Sequence, residues 1–127
     1  MNQKPRLLPG FTVTLDRLVY DPTVVASFEK PYTFVYFITI HNQSDRALTV
    51  KGRKWIVREV STGEVMALEG DGVVGCFPYL EPGGIFSYNS CHTIAGRAVA
   101  EGAYLAMTDE GEAVIAKIPS FELVPPI

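Results

Sequence analysis

Apolar and polar positions alternate along most of this chain, and no segment shows a convincing apolar period near that of a helix. Phe11, Val13 and Leu15 alternate with Thr12, Thr14 and Asp16. Tyr32, Phe34, Tyr36, Ile38 and Ile40 share one parity, with Thr33, Thr39 and His41 on the other. Val99, Ala103, Leu105 and Met107 also keep period two. Turn signals punctuate these runs at Asp21-Pro22, Asn42-Gln43-Ser44-Asp45, Ser61-Thr62-Gly63, Gly70–Gly75, Pro82-Gly83-Gly84, Ala95-Gly96 and Asp109-Glu110-Gly111. Their spacing, roughly 8–12 residues, is that of a sandwich or barrel. Val65-Met66-Ala67-Leu68 has the length of one helical turn, but its glycine-rich flank favours a strand running into a loop. The pattern predicts an all-β fold, an immunoglobulin- or fibronectin type III-like β-sandwich of seven to eight antiparallel strands, with a small barrel as the alternative.

Two details sharpen that expectation. Leu48 and Val50 share one parity while Trp55 and Val57 share the other, so a bulge at Gly52 is needed to keep all four inward. The bulge places Arg53 on the face of Trp55, where it either packs its stem on the indole or points into a site. Gly102-x-Tyr104 stands near the start of the next-to-last strand, the place of a tyrosine that pins a corner in such sandwiches. The parity also puts Phe34, Tyr36, Ile38, Trp55 and Tyr88 in or against the core.

The chain's 127 residues fit one domain, with a core over about 11–123 and a short flexible tail over 1–10. Apolar residues make up 47% and charged residues 20%, an ordinary globular mixture. A formal charge of −3 argues against general nucleic-acid binding. The opening MNQKPRLLPG lacks the apolar core of a signal peptide, and no apolar run is long enough to cross a bilayer as a helix. Cys76 and Cys91 are too few for a disulfide scaffold and are expected as free thiols in a cytoplasmic protein.

Gly70, Gly72 and Gly75 spell G-x-G-x-x-G. That spacing cradles a pyrophosphate only when a helix follows, and Pro78, Pro82, Gly83 and Gly84 forbid one here. The motif therefore belongs to a loop between strands. Consecutive glycines can still turn amides inward as an anion nest. Five of the eleven basic residues, Arg46, Lys51, Arg53, Lys54 and Arg58, lie on one strand region that could abut it. The candidate anion or ligand residues are thus Gly70, Gly72, Gly75, Arg53 and Lys54. The competing reading is a loop whose glycines serve only its turn geometry, beside a solvated basic strand.

Other chemistry is poorly supplied. Cys91 and His92 are neighbours on a strand, so they face opposite ways and form no dyad. There is no metal-ligand spacing of the C-x-x-C, H-x-x-x-H or D-x-D-x-D kinds. Neither a cofactor nor a catalytic group is expected. Val35 and Phe37 on the outward parity, and Phe77 and Tyr79 in a turn, are candidate protein-contact residues if exposed.

Tyr36-Phe37-Ile38-Thr39-Ile40-His41-Asn42, Arg53-Lys54-Trp55, the glycine motif with Pro78, Leu80, Pro82-Gly83, Phe86-Ser87-Tyr88-Asn89-Ser90, Gly102-Ala103-Tyr104 and Ile118-Pro119-Ser120-Phe121 follow in an order and spacing that resemble the ApaG family. The likeness runs from about Phe11 to Leu123. It implies a fibronectin-type fold and a loose association with cobalt and magnesium (Co2+/Mg2+) resistance or efflux, and it does not imply an enzyme. It also implies use as an interaction module, and it makes the glycine motif a candidate pyrophosphate or nucleotide site. Lys54 departs from the histidine usual before the tryptophan, and Cys91 from the glycine that often follows the serine. The expected function is a binding domain with a protein partner, or alternatively a phosphate-bearing ligand. Homodimer formation is left open.

Overall fold

The computed structural model describes residues 4–126, and its regular structure is entirely β. Nine strands run β1 (Arg6–Leu7), β2 (Phe11–Asp21), β3 (Tyr32–Asn42), β4 (Leu48–Glu59), β5 (Val65–Asp71), β6 (Tyr79–Leu80), β7 (Ile85–Ile94), β8 (Ala98–Thr108) and β9 (Ala113–Leu123). They form two layers. The larger sheet has the order β1-β9-β8-β4-β5, with β6 also paired to β4; the smaller is β2-β3-β7. All pairings are antiparallel except β1 with β9. The expected sandwich is present, and the two-residue strands β1 and β6 raise the count beyond seven or eight. Among the described residues, no helix is long and apolar enough to cross a membrane.

Part of the segment 1–10, expected as a flexible tail, forms a strand. Residues 1–3 lie outside the described part. Arg6 and Leu7 pair with Val114 and Ile115, and the Arg6 guanidinium donates to both carboxylate oxygens of Glu112 at 2.8 Å. Arg46 reaches the same carboxylate at 3.2 Å, so two cations hold the N-terminal segment and the β8–β9 turn together.

The alternation read from β2, β3 and β4 sets the core. Ile38, Ile40, Leu48, Val50 and Tyr104 are fully buried, and Trp55 and Tyr36 nearly so. The register of β4 on β8 slips between Val50 and Gly52, which makes Lys51 the extra residue, one position before the expected bulge. That bulge lets Leu48, Val50, Trp55 and Val57 all face inward. Trp55 packs edge-on against His92 and beside Tyr36, with centroids 4.5 and 4.8 Å away. Tyr104 does not pin a corner. It stands in mid-strand, and its hydroxyl meets that of Tyr88 on the opposite layer, so it ties the two sheets together. Burial raises the pKa of both phenols.

Candidate functional site

The glycine motif closes as a two-residue hairpin. Val73 and Cys76 exchange reciprocal backbone bonds of 2.8 and 2.9 Å. Between them Val74 and Gly75 both have positive φ, 44° and 78°, the signature of a type I′ turn. Gly72, with φ 64°, turns the chain out of β5, and its amide donates to the Lys51 carbonyl at 2.7 Å. Val73 is fully buried and anchors the hairpin to the core. The amides of Gly72, Val73 and Cys76 are therefore spent inside the fold. Those of Val74 and Gly75 have no backbone partner.

Arg53 lies on the inner face of β4, opposite Gly70 of β5. Its guanidinium lies across that glycine: a Cβ at Gly70 would sit 2.8 Å from Cζ and from both terminal nitrogens. Nη1 donates to the carbonyls of Asp71 at 2.9 Å and Gly72 at 3.1 Å. The loop thus shows Arg53 its carbonyls rather than its amides. Lys54 points to the outer face and pairs with Glu69 at 3.5 Å. The structure brings Arg53, Gly70 and Gly72 together. It puts Lys54 on the opposite face of the sheet, as alternation along a strand requires, and Gly75 at the hairpin tip.

The residues after the hairpin are exposed rather than tucked under the sandwich. Val74, Phe77 and Tyr79 each show slightly more than half their surface. They are nonetheless held in place. Val50 donates its amide to the Pro78 carbonyl at 2.8 Å, and the Tyr79 hydroxyl donates to Asp109 at 2.8 Å. That bond to Asp109 raises the phenol's pKa. Tyr79 and Met107 both pair with Thr49, which sets the three in one row across the outer face.

The apolar period of β8 lies on this same outer face. The buried residues of β8 are Ala98, Ala100, Tyr104, Ala106 and Thr108, whereas Leu105 and Met107 are exposed and pair with Ile115 and Ala113 of β9. Tyr104 apart, the interior positions of β8 carry small side chains, while the larger Leu105 and Met107 face outward. A groove of about 610 Å³ runs beside them, floored by Gly52 and Ala103 and flanked by Leu105, Ile115, Lys51 and Lys54. Sequence reasoning found the period of β8 but not its direction. The signal was there in the alanines of the other parity, which suit a core crowded by aromatics.

The smaller sheet carries a polar chain on its outer face. A register slip on β2 lets Asp16 stand beside Thr14 and Thr39. Thr14 and Thr39 both donate to its carboxylate, so the Thr14 oxygen accepts from His41 Nε2 and the Thr39 oxygen from Ser87. The two hydroxyl donors, Thr39 first, lower the Asp16 pKa. Phe37 is half-buried under the Arg17 guanidinium, 5.7 Å from its ring, and Val35 is half-buried as well. Cys91 is exposed and His92 buried, so they do face opposite ways; Cys76 and Cys91 are free thiols.

A family model described as ApaG domain matches residues 24–108, from the β2–β3 loop to the end of β8. The chain is 38% identical over 96 residues to the ApaG protein of Methylococcus capsulatus, covering 75% of each. It is 30% identical over 121 residues to that of Bdellovibrio bacteriovorus, covering 94% of each. Among solved structures, structural-genomics target SoR45 superposes with a TM-score of 0.81 at 28% identity, covering 92% of this chain and 88% of that one. A Bordetella pertussis structure carrying the ApaA name superposes at 0.79 with 26% identity, covering 97% and 98%.

Proposed function

This chain belongs to the ApaG family, and from that premise we propose that it is a non-catalytic, cytoplasmic binding module whose main ligand is another protein. One observation carries the reading: β8 buries alanines and turns Leu105 and Met107 outward, in line with the exposed Tyr79. Large contiguous apolar patches on an outer face commonly mark a surface that a partner covers. The glycine motif fits this surface as a presenting device. Its type I′ turn and buried Val73 fix the hairpin, and the hairpin holds Val74 and Phe77 out beside the row. Any tie to cobalt or magnesium resistance then runs through the partner.

The test is capture from native lysate. The double variant Leu105→Ser, Met107→Ser changes only exposed positions and keeps the fold; it should lose the partner that the wild type captures, as should Phe77→Ala. Equal capture by all three removes this surface from consideration.

The anion reading retains one supporting observation, the two unpartnered amides of Val74 and Gly75 on the strand–loop unit that also carries Lys51. Titration of pyrophosphate and of a dinucleoside polyphosphate by calorimetry, at low and high salt, addresses it. Binding that Lys51→Ala abolishes and salt weakens supports an anion site; wild type and variant that bind alike reduce the motif to a structural turn.

A further inference from the structure

The two layers are unequal in width. β2 lies against β9, and His92 of β7 packs on Trp55 of β4, so β7 covers β4; at the start of β5, Lys30 closes over Met66, its Nζ 3.5 Å from Sδ, beside Thr93 and Ile94. Met66, Leu68 and Gly70 share the inward parity of Val57, Trp55 and Arg53, to which they pair. Yet Leu68 is 46% exposed. Beside β7 and above Leu68 and Gly70 of β5 there is a lane one strand wide.

The free edge of β7 faces that lane. The Asn42 amide, on the β7 side of β3, donates to the Gly84 carbonyl at 2.9 Å. Backbone groups alternate in direction along an antiparallel strand, so the even-numbered residues of β3 and β7 bond to each other. Ile85, Ser87, Asn89, Cys91 and Thr93 therefore turn amide and carbonyl into the lane. β7 has ten residues with no charge, no proline, no glycine and an unbroken register. It lacks the devices with which proteins usually blunt an open edge.

We propose that this lane receives an extended segment of a partner protein, which adds to β7 as a fourth strand and closes over the inner face of β5. A second copy of this chain does not fit. Pairing β7 with β7 across a two-fold axis would place strands about 4.8 Å apart and drive the partner's β4 into the space that β5 already fills. The occupant must be a lone strand. Its chemistry follows from the lane. Leu68 and Gly70 lie two residues apart on one face, and so do successive inward side chains of an added strand, about 7 Å apart. Leu68 fits an apolar side chain. The Arg53 guanidinium over Gly70 has no carboxylate partner among the described residues and fits an aspartate or glutamate. The recognised segment carries an apolar and an acidic residue two positions apart.

This lane lies on the inner side of the larger sheet, away from the Leu105–Met107 face, so either surface can fail without the other. The probe is a capped threonine-rich heptapeptide with leucine and glutamate two positions apart, made in both orders because the added strand can run either way. A control peptide has the two residues adjacent. The readout is amide hydrogen exchange by NMR. The structure predicts that one of the two orders slows exchange at Ser87, Asn89 and Cys91 and leaves the already bonded Tyr88 and Ser90 unchanged. Leu68→Asp, at an exposed position that does not threaten the fold, should weaken this by about tenfold or more. The proposal is overturned if neither order protects these amides, if the control peptide does so equally, or if Leu68→Asp binds like wild type. Protection that grows with protein concentration alone would also overturn it, by giving the lane to a second copy.

Discussion

At the residue scale, His92 is the side chain whose setting has a measurable consequence. It is 4% exposed, stacked on Tyr36 and edge-on to Trp55, and its Nε2 has no partner. Burial pushes its pKa down to about 4 from an ordinary 6.5. The folded protein holds this imidazole neutral in a range where the unfolded chain protonates it. The unfolded state therefore binds the extra proton between about pH 6.5 and 4, and stability falls as pH falls through that window. The loss amounts to about 3 kcal/mol and stops below pH 4, where both states are protonated. His92→Phe keeps an aromatic ring against Tyr36 and removes the titration. Denaturant midpoints measured from pH 7 to 4 should fall for both proteins as carboxylates protonate, but more steeply for wild type. Parallel pH profiles would show that His92 is not the neutral, buried group described.

At the scale of elements, the glycine motif is a hairpin in which each glycine meets a different demand. A Cβ at Gly72 would run into the Cys76 carbonyl oxygen, and its φ is positive as well. Gly75 also has positive φ but open space around it. Gly70 is extended, and a Cβ there would meet only the movable end of Arg53. Alanine should thus cost most at Gly72, more than about 2 kcal/mol, and about 1 kcal/mol at Gly75. Gly70→Ala should cost little stability but displace Arg53 from the Asp71 and Gly72 carbonyls. Thermal denaturation of the three variants checks the order. The same hairpin marks the limit of sequence reading. That no helix follows was legible from Pro78 and Pro82, and the existence of the β4 bulge was legible from the parity change between Val50 and Trp55. The direction in which the loop aims its amides was not, because it depends on φ at Val74, a residue type that rarely turns left-handed. The period of β8 was equally plain, while its inward face was not, because both parities carry apolar side chains: Ala98, Ala100, Tyr104 and Ala106 on one, Leu105 and Met107 on the other.

At the scale of the whole molecule, the sandwich is held by pairings between distant parts of the sequence: β1 with β9, β4 with β8 and β3 with β7. Such non-local topologies fold slowly, in roughly milliseconds to seconds, because loop closure must precede the contacts that reward it. β9 has a special place in that order. Of the nine described strands it is the last to be synthesised, yet it sits between β1 and β8, lies against β2 and buries Val114, Ala116, Ile118 and Leu123. While it is still inside the ribosome, β8 has an unpaired edge and the inner face of β2 lacks its cover, and neither layer can settle. Folding of this domain is therefore timed by the emergence of β9 rather than nucleated by its earlier strands. A chain stopped after Asp109 should stay unfolded by far-ultraviolet circular dichroism even though it keeps Trp55, Tyr36 and the whole glycine hairpin. Adding the peptide Glu110–Pro126 in trans should restore the β signal. For a nascent chain, the interval before β9 emerges is the period in which a chaperone has the exposed sheet to itself.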